Sequence, residues 1–142
     1  MTDGPDLPRM IAEALLSREG TGPAWGIVID EAAAGYARIS MEIRREMTNG
    51  HGMVHGGMTF ALADTAFAYA CNSHNVATVS QSASIAYLSS AHEGETLVAE
   101  ARVTARAGRS ATCLVTVSTA DGRIVAQLHG LAREIGGTII DI

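Results

Sequence analysis

Residues 49–72 read NGHGMVHGGMTFALADTAFAYACN. The first nine, Asn49 to Gly57, are rich in glycine and histidine and suit a loop. The rest, Met58 to Asn72, contain neither proline nor glycine and are long enough for about four helical turns. A helix built almost wholly from alanine, leucine and aromatic side chains cannot be left in water, so the remainder of the chain must supply a surface to cover it.

The residues downstream have the period of strands. From Glu95 to Arg106 the odd positions Leu97, Ala99, Ala101, Val103 and Ala105 are apolar and the even ones polar except Val98, the pattern of a half-buried strand. Ala107-Gly108-Arg109 allows a turn into a strand over 111–119, and Asp121-Gly122 is the signal of a tight hairpin into a strand over 123–135. Val76 to Leu88 predicts a longer strand with a serine face at Ser80, Ser82 and Ser84. Upstream, the spacing of Leu7, Met10, Ile11, Ala14 and Leu15 predicts a short helix over about residues 7–17, with Asp6 as N-cap and Pro8 in the first turn. Trp25 to Asp30 and Tyr36 to Ile43 are strand-forming runs that Glu31 to Gly35 turns into a hairpin. The expectation is an α+β architecture in one domain over 1–142, a long central helix wrapped by a meander of five to six antiparallel strands. Exposed edges of such a sheet are commonly covered by a second copy, so a homodimer is expected.

Composition narrows the function. The chain has 142 residues, is 47% hydrophobic and carries a net charge of −5, and all ten of its Lys+Arg residues are arginine, scattered singly except for Arg44-Arg45. A nucleic-acid partner is therefore not expected. No apolar run reaches the ~18 residues that span a bilayer, so no membrane association is expected either. Met1 to Arg9 has no apolar core of a signal peptide, and Cys71 and Cys113 read as buried thiols, which together point to the cytoplasm.

Charge is also distributed unevenly. In the 46 residues from Met47 to His92 the one formal charge is Asp64, in the middle of the predicted helix. Helical spacing puts Phe60, Ala61, Phe67 and Ala68 around it, an environment that raises a carboxylate's pKa towards that of a general base or nucleophile. The plainer reading is an aspartate satisfied by backbone groups or serine hydroxyls at a subunit interface. Gly56-Gly57, before the helix, offers unpaired N–H groups at the positive end of the dipole, the material of an oxyanion hole. His51 and His55 lack the intervening glutamate of a zinc motif, and no metal site is expected. The chain contains no G-x-S-x-G, P-loop or G-x-G-x-x-G. Gly56 and Asp64 are eight residues apart, ~12 Å along a helix, too far to grip one small reacting group. If both act on one carbonyl, the N–H comes from one chain and the carboxylate from a partner whose helix runs antiparallel beside it.

The run from Asn49 to Asn72, with Tyr87-Leu88, Gly94-Glu95, Gly108-Arg109 and the terminal Ile135-Gly-Gly-Thr-Ile139, resembles the hotdog-fold acyl-CoA thioesterases, specifically the phenylacetate-degradation (PaaI) type. The resemblance implies hydrolysis of aryl- or arylacetyl-CoA, of the phenylacetyl-CoA or hydroxyphenylacetyl-CoA class, to free acid and CoA. It implies Asp64 as catalytic carboxylate, Gly56 as oxyanion donor, Asn49 as the side chain orienting the thioester or the water, and His55 in support. Related 4-hydroxybenzoyl-CoA thioesterases have a threonine one turn after the carboxylate; here that position is Ala68, and adjacent Thr65 is the candidate substitute. Ser89, Ser90, Arg106, Gly108 and Arg109 are the candidates for holding CoA, since arginine suits its phosphates. The resemblance further implies a homotetramer made of two dimers and no metal or redox cofactor. Alternatives are a medium-chain acyl-CoA thioesterase, a non-catalytic acyl-CoA-binding protein, and a dehydratase or hydratase on the same fold.

Overall fold

The computed structural model describes residues 7–142; the Asp6 cap lies outside them. In chain order the elements are α1 (Leu7–Arg18), α2 (Thr21–Trp25), β1 (Val28–Ala33), β2 (Tyr36–Glu42), α3 (Gly56–Cys71), β3 (Thr78–Tyr87), β4 (Thr96–Ala107), β5 (Ser110–Thr119) and β6 (Ile124–Glu134). The six strands form one antiparallel sheet in the order β1-β2-β4-β5-β6-β3, and α3 packs along one face. This is the hotdog arrangement. Among the described residues no helix is long and apolar enough to cross a membrane.

The alternation predicted for β4 holds where it faces the helix: Leu97, Ala99 and Ala101 are fully buried. Beyond them a bulge between Val103 and Ala105 breaks the register and Ala105 is exposed, so the buried stretch is shorter than the pattern suggests. Val115 and Val117 of β5 and Leu128 of β6 complete the floor on which Leu62, Ala66, Phe67 and Tyr69 of α3 rest. Each large apolar side chain buried there contributes roughly 1.5–3 kcal/mol. Cys71 and Cys113 are both buried and free.

Three expectations are corrected. The strands do not form a simple meander: β4 has β2 on one side and β5 on the other, which leaves β3 no place beside it in the sheet, and β3 pairs with the outer side of β6. Trp25 is not in a strand but ends α2; Gly26, at φ 67° in the left-handed region, stops the helix and the strand starts only at Val28. The first hairpin is tighter than expected, since β1 runs on to Ala33 and the reversal is confined to Ala34-Gly35.

The closest packing in the core lies where α3 crosses the sheet. A Cβ added to Gly130 of β6 would sit 2.4 Å from Cε2 of Phe67, a ring only 1% exposed. The ring or the strand would have to shift by several tenths of an ångström or more to admit it. Gly130→Ala is therefore expected to cost about 2 kcal/mol by overpacking, read as a lower urea midpoint with an unchanged slope.

Candidate active site

The central helix begins two residues before the predicted start, because His55 caps it. His55 is extended (φ −65°, ψ 136°), and its Nδ1 accepts the Gly57 N–H at 2.9 Å. The Met58 and Thr59 N–H groups donate to the His55 carbonyl at 2.9 and 3.2 Å. Of the donors at this helix start, that leaves the Gly56 N–H without a partner among the described residues. At the other end Asn72 ties α3 to β3: its Nδ2 donates to the Ala68 and Thr78 carbonyls at 2.8 and 3.0 Å, and its Oδ1 accepts the Thr78 N–H at 2.8 Å.

Asn49 organises the loop ahead of the helix. Its Oδ1 accepts the His51 and Met53 N–H groups at 2.9 and 3.2 Å, and its side-chain amide nitrogen has no partner among the described residues. Asn49 and Gly56 line one cleft of about 300 Å³, and Ser89 and Ser90 lie along the same cleft with Tyr87. The Tyr87 hydroxyl donates to the Gly56 carbonyl at 2.9 Å, and a Cβ on Gly56 would stand 3.2 Å from Cζ of that ring. The glycine thus lets the hydroxyl end of the ring approach the helix start closely. Arg123 braces the serine loop, donating to the Ser90 carbonyl at 3.0 Å and to the Glu95 carboxylate at 3.1 and 3.2 Å.

Asp64 opens elsewhere. It lines a cavity of about 230 Å³ with Phe67, Cys71, Val79 and Ala132, and a second cleft with Ala61 and Thr65. Neither contains Gly56. The Asp64 carboxylate has no hydrogen bond and no ion pair among the described residues, and burial pushes its carboxyl above the usual carboxylate range. No backbone group or serine hydroxyl of its own protomer satisfies it among the described residues, so any such partner would have to come from a second subunit. Thr65 donates its hydroxyl to the Ala61 carbonyl at 2.8 Å, so its proton is committed to the helix.

The predicted site residues therefore fall into three groups. Asn49, His55, Gly56, Ser89 and Ser90 gather around the start of α3 and the end of β3. Asp64 and Thr65 are further along the helix, and Arg106, Gly108 and Arg109 belong to the β4–β5 turn. That turn is at the far end of the sheet, where Arg109 accepts the Glu134 N–H and Glu134 pairs with Thr78. Thr78 and Tyr87 are ~30 Å apart along the strand. Sequence reasoning missed Arg123 and the Tyr87 hydroxyl bond; Tyr87, the only aromatic residue in a strand of small ones, was the available signal for the latter.

Residues 51–126 match the family profile described as Thioesterase superfamily. Acyl-coenzyme A thioesterase PaaI of Escherichia coli is 37% identical over 128 residues, covering 90% of this chain and 91% of that one. The chain belongs to the thioesterase superfamily. Within it the chain is of the PaaI type: the solved structure of the Escherichia coli PaaI protein from the phenylacetic acid degradation operon superposes with a TM-score of 0.92 at 34% identity, over 94% of this chain and 97% of that one. Acyl-coenzyme A thioesterase 13 of Homo sapiens is similar over a shorter span, 33% identical across 71% of this chain and 74% of the human one. One protomer thus holds its lone desolvated carboxylate and its free helix N–H in different clefts.

Proposed function

We propose that this thioesterase hydrolyses aryl- or arylacetyl-CoA, of the phenylacetyl-CoA or hydroxyphenylacetyl-CoA class, at a site shared between two chains. The observation that carries the reading is the Asp64 carboxylate, unpartnered in an apolar cavity on the helix whose start leaves the Gly56 N–H free. The thioester carbonyl takes its place at the Gly56 N–H of one protomer. Asp64 of the partner activates a water or attacks the carbonyl itself. The negative charge that develops on the carbonyl oxygen falls at the positive end of α3, where the free N–H stabilises it. The C–S bond then breaks; water supplies an oxygen to the acid and a proton to the CoA thiolate. Asn49, which lines the cleft and has a free amide nitrogen, orients the thioester or the water. His55 holds the loop, and no metal or redox cofactor is required.

The sheet edge supports the pairing. β3 is exposed along almost its whole length, with Val79 and Tyr87 about half exposed, and its outer side has no strand beside it among the described residues. An antiparallel partner along this edge brings its α3 beside the first, setting Asp64 of one against Gly56 of the other. The same two-fold carries the partner's Arg106, Gly108 and Arg109 towards the end where Ser89 and Ser90 lie, a path for the phosphates and pantetheine of CoA. Two such dimers make the tetramer.

Thiol release followed with DTNB tests the reading on phenylacetyl-CoA, benzoyl-CoA and octanoyl-CoA. Arylacetyl thioester is expected to exceed octanoyl-CoA by about tenfold or more in kcat/KM, a margin within the reach of pocket complementarity. A preference for octanoyl-CoA replaces the acyl assignment with a medium-chain one, and silence on all three points to a non-catalytic binder.

A further inference from the structure

The junction between α1 and α2 presents a second acid to the cleft beside Asp64. Glu19 lines that cleft of about 290 Å³ with Thr21, Trp25, Ala61 and Thr65, and Asp64 borders it from the helix. Both oxygens of the Glu19 carboxylate are held: Oε1 accepts the hydroxyl of Tyr69, a side chain 1% exposed, at 2.7 Å, and Oε2 accepts the Thr21 hydroxyl at 3.0 Å. Both donors are neutral, and no cation pairs with Glu19 among the described residues. The carboxylate thus has a fixed position and keeps lone pairs for another donor. Trp25 adds apolar lining to the same cleft, and Ala61 and Ala68 of the helix are small.

We infer that Glu19 is a specificity residue that accepts a hydrogen bond from a hydroxyl at the distal end of the acyl group. The inference rests on the substrate reading above, in which the thioester carbon sits against Asp64 and the acyl group extends into one of the cavities that Asp64 borders. An acyl group entering between Asp64 and Glu19 strips water from the Glu19 carboxylate. A phenolic or alcoholic hydroxyl restores the lost hydrogen bond, an unsubstituted ring leaves a desolvated anion, and an acyl end bearing its own carboxylate is repelled. Sites built to meet a substrate hydroxyl discriminate strongly against the analogue without it. Tyr69 and Thr21 act through Glu19 as positioning residues.

The test is the ratio of kcat/KM for 4-hydroxyphenylacetyl-CoA over phenylacetyl-CoA, read by thiol release. The unaltered protein is expected to give a ratio of about ten or more. Glu19→Leu brings the ratio to about one, and Glu19→Gln, which keeps an acceptor for Tyr69, lowers it about threefold or more, because a charge-assisted bond becomes a neutral one. If Glu19→Leu does not fold, Glu19→Gln decides alone. An unaltered protein indifferent to the hydroxyl, or variants that lower both rates equally and leave the ratio where it was, overturn the assignment of Glu19 and leave the thioesterase reading standing. Activity on neither arylacetyl thioester takes down the substrate reading and this inference with it.

Discussion

Replacing Asp64 with asparagine is expected to lower kcat/KM for the arylacetyl thioester by about a thousandfold or more while raising the stability of the protein at neutral pH. The two effects share one cause. The Asp64 carboxylate is half-buried among apolar side chains, has no partner, and has its pKa raised by burial. A carboxyl whose folded pKa lies above its unfolded value holds its proton more tightly in the native state. Stability therefore falls as the pH rises through the ordinary aspartate value of about 4 and up to the folded pKa, and stays reduced above it. Asparagine removes that cost without changing the shape. Its melting temperature should exceed that of the unaltered protein at pH 7, and the two should converge below about pH 4. In the unaltered protein the acid limb of kcat/KM should fall above the usual carboxylate range, since only the ionised Asp64 can act. Full turnover by Asp64→Asn would remove Asp64 from the mechanism. A single turnover in 18O water then tests the nucleophilic route, because only attack by Asp64 can leave solvent label in the enzyme's carboxylate.

How far the sequence could be read depended on what each residue answers to. The central helix was legible because Met58 to Asn72 runs for about four turns without proline or glycine, and β4 because burial on one face imposes a period of two that is written in the side chains. The place of β3 was not, because a strand's neighbours are chosen by the whole sheet; nothing in Thr78 to Tyr87 says that β6 and not β4 lies beside it. Trp25 misled for a related reason: its propensity suits a strand, but Gly22, where an added Cβ would meet Leu16 at 2.3 Å, and Gly26 hold a helical turn under it. Within the site, the isolation of Asp64 was visible as an absence of other charges over 46 residues. The partners of Glu19 were not: it meets Tyr69 across 50 positions, and no local pattern records such a contact.

Two inactive variants, produced in one cell, are expected to restore activity to each other. Gly56→Pro is the suitable partner for Asp64→Asn because it deletes the N–H and little else. Gly56 is the first residue of α3, where proline is favoured and a missing N–H removes no helical bond. His55 already has φ −65° and ψ 136°, the extended region that a residue before proline adopts. The ring of Tyr87, half exposed at the sheet edge, has to yield by a few tenths of an ångström. Helical content by circular dichroism should be unchanged, while the loss of one oxyanion donor lowers kcat about a hundredfold or more. If Asp64 of one chain serves Gly56 of the other, a mixed dimer contains one site with both lesions and one with neither. Random pairing of equal amounts makes half of the dimers mixed, so about a quarter of the wild-type rate returns. A site completed within one chain gives no recovery in any mixture, because every chain carries a lesion. The ~12 Å between the two residues on one rigid helix is what makes the quarter the expected result.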